Sequence, residues 1–116
     1  MISPEPYEPP AALVAQGLLA RWQAMGLHAV QLAKGDPDRG QILVSIEQLD
    51  GRQSLYGQRR DANFRLVWQP LLAEGAFVEA QAVAAKIAAE RQADPDLWVI
   101  VLELDRRDFN PELHLA

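Results

Sequence analysis

No stretch restricts the architecture as tightly as Ala80 to Leu104. Ala80, Val83, Ala84, Ile87, Ala88 and Arg91 recur at i, i+3, i+4, i+7 spacing, which puts them on one stripe of a helix from about Val78 to Gln92. Asp94-Pro95-Asp96 ends that helix, because the residue before a proline is pushed out of the helical region. Leu97 to Leu104 follows as a strand that is apolar on both faces, with Leu97, Val99 and Val101 alternating against Trp98, Ile100 and Leu102. Such a strand is normally buried on both sides. It must therefore lie inside a sheet or have its outer face covered by a second copy of the chain. The helical stripe is mostly alanine, so this helix is expected to approach the sheet closely.

The segments upstream supply the other elements. Pro10 suits the first position of a helix in which Leu13, Val14, Leu18, Trp22 and Met25 recur, with Gly26 as a left-handed cap. Leu27 to Ala33 is a strand candidate. Lys34 to Gly40 is rich in turn formers, and Ile42 to Leu49 alternates as a strand. Asp50-Gly51 predicts a two-residue type I′ hairpin. That register sets Ile46 opposite Leu55 and Ser45 opposite Tyr56, so Ile42, Val44, Ile46 and Leu55 share a face while Leu43, Ser45 and Tyr56 share the other. A second turn at Arg60-Asp61-Ala62-Asn63 pairs Arg59 with Phe64 and brings Phe64, Leu66 and Trp68 to the first of these faces. Gly57 then leaves a dent for a bulky helix residue such as Trp22. Pro70 ends the strand.

The order α-β-β-β-β-α-β predicts an α+β fold: a two-layer, mainly antiparallel five-stranded sheet with both helices on one face and the last strand parallel to the fourth. At 116 residues the chain fits one domain. We divide it into a proline-rich arm over 1–9, the α+β domain over 10–108 and a tail over 109–116. Met1 to Pro10 holds four of the eight prolines, which favours extended backbone in the arm. The N-terminal residues lack the basic and apolar pattern of a signal peptide, and no apolar run approaches the roughly 20 residues of a membrane span, so the expected compartment is the cytoplasm.

Gly35-Asp36-Pro37-Asp38, Leu49-Asp50-Gly51, Trp68, Arg91-Gln92 and Asp94-Pro95-Asp96-Leu97-Trp98-Val99 together resemble domain of unknown function family 1491, a mostly alphaproteobacterial family. The resemblance runs from about Leu13 to Arg106. It implies a small bacterial protein of the fold above and carries no activity, cofactor or partner.

Three groups of residues could carry function. Asp36, Asp38, Asp94 and Asp96 stand on two Asp-Pro-Asp loops, and four converging carboxylates could hold a magnesium or calcium ion. The plainer reading is that each caps a turn. Arg52, Arg59, Arg60 and Arg65, with Tyr56, could bind an anionic ligand or RNA. The plainer reading is a sheet edge kept soluble by charge, and the net charge of −5 argues against a generic nucleic-acid binder. Trp98, Ile100 and Leu102 would form an interface if one face of the last strand stayed uncovered. His28 and His114 lie in no catalytic or metal motif, the chain contains no cysteine, and the glycines form no nucleotide-binding fingerprint. The reading these features favour is a non-enzymatic protein-interaction domain, self-associating through the last strand, with no cofactor. A metal-dependent enzyme or ion binder is the first alternative, and an anion or RNA binder the second.

Overall fold

A computed structural model describes residues 9–115 of the chain. All but the last residue of the arm expected over 1–9 lies outside these residues. Helix α1 spans Ala11–Ala24 and starts from Pro10, which stands one position earlier than expected, at the N-cap. A proline has no side-chain acceptor to cap with, and the free N–H groups of Ala11 and Ala12 donate instead to the carbonyls of Asp38 (3.4 Å) and Pro37 (2.9 Å). The other end closes as the glycine predicts. Gly26 takes φ +80°, its N–H donates to the Gln23 carbonyl, and the Leu27 N–H donates to Trp22, both at 3.0 Å. Ala11, Ala15 and Trp22 are the buried stripe of α1, whereas Leu13 and Met25 are exposed.

Strands β1 (His28–Ala33), β2 (Ile42–Glu47), β3 (Gln53–Arg60), β4 (Leu66–Pro70) and β5 (Trp98–Glu103) form one sheet in the order β1-β5-β2-β3-β4. The α+β class, the five strands and the element order are as the sequence predicts. All neighbours are antiparallel except β2 and β5, which run parallel, with Ile42 opposite Trp98 and Ile46 opposite Leu102. Strand β5 therefore also runs in the direction of β4. Its two-sided apolarity is met by a central position. Trp98, Val99, Ile100 and Leu102 are all at most 2% exposed within one copy of the chain.

Register is where expectation and structure part. Ser45, not Ile46, lies opposite Leu55, and Val44 lies opposite Tyr56. The turn has three loop residues, Leu49-Asp50-Gly51. Gly51 N–H donates to the Gln48 carbonyl (3.0 Å) and Gln48 N–H to the Arg52 carbonyl (2.9 Å). Only Gly51 is left-handed, at φ +87°, and the Asp50 carboxylate accepts from the Arg52 N–H at 2.9 Å. A type I turn with a glycine bulge thus replaces the type I′ turn, because it needs only one residue at positive φ. The single-residue slip exchanges the faces of β3. Tyr56 joins Ile42, Val44 and Ile46, and Leu55 joins Leu43. In the next hairpin Arg59 pairs with Val67. Trp68 still reaches the Ile42 face, while Phe64 falls in the turn. Gly57 meets Leu71 and Leu43, not Trp22.

The two faces carry separate cores. Trp22, Ile42, Val44, Ile46, Ile100 and Leu102 pack beneath α1. Leu43, Leu55, Val99 and Leu97 pack against Val83 and Ile87 of helix α2, Ala80–Ala93. The expectation that both helices share one face is thereby corrected, and the helical layer is divided between the two sides. The cause is β5 itself, since a central strand greasy on both faces needs a cover on each. The close alanine contact is also corrected. Val83 is the buried residue of α2, while Ala80, Ala84 and Ala88 are exposed.

Residues 109–115 pack onto the domain. Asn110 caps helix α3, Pro111–His114, by accepting from the Glu112 N–H at 2.9 Å. Phe109 meets Tyr56 edge-on at 5.5 Å, and Leu115 is 2% exposed within the α1 core. The Trp22 indole N–H donates to the His114 carbonyl at 2.9 Å, which gives its polar edge a partner. Segment 109–115 therefore closes the face that α1 leaves open.

Candidate functional site

The two Asp-Pro-Asp loops lie at the same end of the sheet and dock on each other. Asp36 N–H donates to the Asp96 carbonyl, and the Trp98 indole N–H to the Asp36 carbonyl, both at 2.9 Å. The carboxylates do not converge. Asp36 Oδ1 accepts from the N–H groups of Asp38 and Arg39, each at 2.9 Å. These bonds, led by that from Arg39, hold the Asp36 carboxyl below its ordinary range. Asp94 accepts from its own loop at Asp96 N–H (3.0 Å) and from Gln41 N–H (3.4 Å). Asp38 and Asp96 face solvent. Among the described residues no group of three or more acidic or histidine side chains is placed to hold a metal ion. Asp36 and Asp94 work as turn formers, and the geometry offers the ion-binding reading no support.

The arginine strip is split. Arg52 precedes the first residue of β3 and Arg59 and Arg60 are its last, a separation of roughly 25 Å at ~3.4 Å per residue. Arg52 pairs with Glu79 at 3.2 Å. Tyr56 sits under Phe109, and burial pushes its hydroxyl above the ordinary value. Neither belongs with the other arginines. At the far end Arg59, Arg60 and Arg65 line one groove of about 1550 Å³ together with Arg39 and Phe64. Arg59 reaches Glu90 of α2 at 3.4 Å, and that carboxylate also takes Lys86 at 3.3 Å.

The predicted interface of Trp98, Ile100 and Leu102 is not a surface, since α1 and segment 109–115 cover it. The uncovered apolar area lies on the opposite side of the sheet. There α2 sits over β3 and leaves a cleft of about 640 Å³ between itself and β1. Leu32 and Val101 form its floor, and Ala80, Ala84, Ile87 and Ala88 its helical wall. Leu32 is 65% exposed: it alternates with Val30 onto this side of the edge strand β1, which α2 leaves uncovered, and the β1–β5 register breaks beside it, between Gln31 and Ala33. Val30, opposite Val101, extends the patch. Ser45 and Gln53 on the floor satisfy each other at 2.9 Å.

Sequence reading found Arg59, Arg60, Arg65 and the alanine stripe but assigned the stripe to the core. It missed Leu32, Phe64 and Arg39. Leu32 alternates with Val30, but nothing local says that α2 leaves that side of β1 uncovered, and Asn63, not Phe64, is the residue that turn statistics would place at positive φ.

None of the curated proteins matches the chain. Its fold is that of several solved structures. A protein of A. tumefaciens, solved in solution, is 29% identical with a TM-score of 0.72, covering 86% of this chain and 89% of that one. The crystal structure of a DUF1491 family protein from Caulobacter crescentus CB15 is 20% identical with a TM-score of 0.73, covering 84% and 89%. The NMR structure of a DUF1491 family protein from that organism gives 20%, 0.74, 87% and 90%. At 20% identity the likeness is one of fold. A family model, Protein of unknown function (DUF1491), matches residues 10–113 and so spans both helices, all five strands and most of α3. With nearly the whole described chain inside that match, this protein belongs to the DUF1491 family.

Proposed function

We propose that the chain is a non-enzymatic, cytoplasmic protein-interaction domain that pairs with a second copy of itself through the cleft between α2 and β1. The observation that carries this reading is the position of the α2 stripe. Helical spacing marks Ala80, Ala84 and Ala88 as an apolar face, yet the fold leaves them in solvent opposite Leu32 and Val101. A contiguous apolar surface of this kind is the usual mark of a docking face.

Charge favours a second copy as the occupant. Glu47 lies at one end of the cleft, beside its partner Glu103 and the start of α2. Arg91, in the last turn of α2, lies at the other end, where Lys34 follows β1. A two-fold axis across the cleft sets the acidic end of each copy against the basic end of the other, as an isologous interface requires. Strand β1 is also a sheet edge, continuous with the patch.

Sedimentation equilibrium from micromolar to millimolar chain tests this. The expected result is a concentration-dependent doubling of mass, abolished by Leu32→Asp with the thermal midpoint retained. A monomer at every concentration overturns the reading, as does Leu32→Asp leaving the dimer intact.

A further inference from the structure

The β2–β3 and β3–β4 hairpins follow one plan and differ at one telling position. In each, the N–H of the fourth turn residue donates to the carbonyl of the first: Gly51 to Gln48 and Phe64 to Asp61, both at 3.0 Å. In each, the first residue donates to the carbonyl just past the turn: Gln48 to Arg52 and Asp61 to Arg65, both at 2.9 Å. The fourth residue is left-handed in both, at φ +87° for Gly51 and +61° for Phe64. Glycine adopts that conformation without steric penalty, whereas a side chain with a Cβ is strained there. Among the described residues nothing in the packing accounts for a phenylalanine at this corner, since Phe64 is 80% exposed. Strain held at an exposed aromatic points to a role other than stability.

The surroundings indicate what the ring would meet. Phe64 and Leu66 stand on one side of the groove that Arg39, Arg59, Arg60 and Arg65 line, and Asp38 is the one acid among the described lining residues. Arg60 donates to the Phe64 carbonyl at 2.9 Å and braces the corner. Arg39 and Arg65 are exposed. At about 1550 Å³ the groove exceeds the ~300–1,000 Å³ of small-molecule pockets and suits an extended ligand. An exposed ring beside arginines is the arrangement that stacks bases and holds phosphates in single-strand binders. We propose that this groove binds single-stranded RNA, with a base stacked on Phe64 and the flanking phosphates on Arg39 and Arg65. The site lies apart from the α2–β1 cleft, and the proposal stands independently of self-association. Because the whole chain is acidic, with a net charge of −5, attraction comes from this patch alone and falls as salt rises.

Fluorescence anisotropy of a labelled short oligouridylate with the full chain, at low and moderate salt, tests the proposal. The expected result is salt-sensitive binding that Phe64→Gly weakens by about tenfold, in line with loss of one base stack. Phe64→Gly should at the same time raise the thermal midpoint, because glycine relieves the corner. Arg65→Glu should weaken binding and flatten its salt dependence. Absence of binding overturns the proposal. So does a Phe64→Gly protein that binds as well as the parent, or one that melts earlier, since the ring would then support the fold. Competition by uridine monophosphate or polyglutamate as effective as by unlabelled RNA also overturns it, in favour of a free nucleotide or an acidic peptide.

Discussion

Replacing Gly35 by alanine should separate the two aspartate loops. Gly35 has no left-handed φ to protect. Its constraint is contact: an added Cβ would collide with the Asp96 carbonyl oxygen and lie 2.6 Å from Trp98 Cδ1 and 2.7 Å from the Leu97 carbonyl carbon. Two of those three neighbours are backbone at the start of β5 and cannot swing aside. Relief therefore costs the two hydrogen bonds at this junction, Asp36 N–H to Asp96 and Trp98 Nε1–H to Asp36, each 2.9 Å. At ~1 kcal/mol net per bond, plus ~1–3 kcal/mol for forced overpacking, the loss is about 3–5 kcal/mol. That is a large share of the ~5–15 kcal/mol typical of a domain. Urea unfolding followed by tryptophan fluorescence measures it, with an unchanged m-value confirming two-state behaviour. Gly51→Ala is the matched control. It has nothing within 4 Å of an added Cβ but a φ of +87°, so it should lose only about 1–2 kcal/mol of backbone conformational energy. If Gly35→Ala stays within ~0.5 kcal/mol of the parent, or costs less than Gly51→Ala, the loop-docking argument fails.

Two further outcomes follow from the same geometry. Leu115→Ala should lower stability by about 2–5 kcal/mol in the same urea assay, since Leu115 is 2% exposed in the α1 core, whereas an unstructured tail would leave the midpoint unmoved. The carboxyls of Asp36 and Asp105 are held below their ordinary value of 3.8 by backbone N–H groups, chiefly of Arg39 and Arg107 respectively. Their stabilisation is complete above that value and is lost as pH falls through the lower, folded-state value. Asp36→Asn, which keeps an acceptor but cannot titrate, should therefore show a shallower fall in urea midpoint than the parent on acidification below 3.8. Parallel curves would refute it.

Local chemistry was legible wherever it depends on neighbours in sequence. The Gly26 cap, the stop at Asp94-Pro95 and the strands around Ile42 and Val99 follow from φ restriction and periodicity alone. The Asp50-Gly51 turn was placed correctly but its type was not. Type I′ and bulged type I turns draw on the same residues and differ by one in register, enough to move Tyr56 and Leu55 to opposite faces. Of the candidate sites, the aspartate pairing was visible as a motif, but its use for turn capping was not, because Asp36 Oδ1 is consumed by bonds to Asp38 and Arg39 that depend on the loop's shape. Phe64 and Leu32 carried no warning in the sequence, since a strained corner is a consequence of pairing and the bare side of β1 a consequence of where α2 docks.

The amino-acid order alone therefore settled the two long helices, the five strands and the need of β5 for cover on both sides. Those properties reside in a few adjacent residues and in the period of their side chains. Which cover goes on which side, and which helical face stays wet, belongs to the folded chain. Placement of α1 and segment 109–115 over Trp98 and Ile100, and of Val83 over Val99, emerges only when elements distant in sequence compete for the same area. The alanine stripe of α2 lost that competition, because β3, rather than β1, lies beneath its helix.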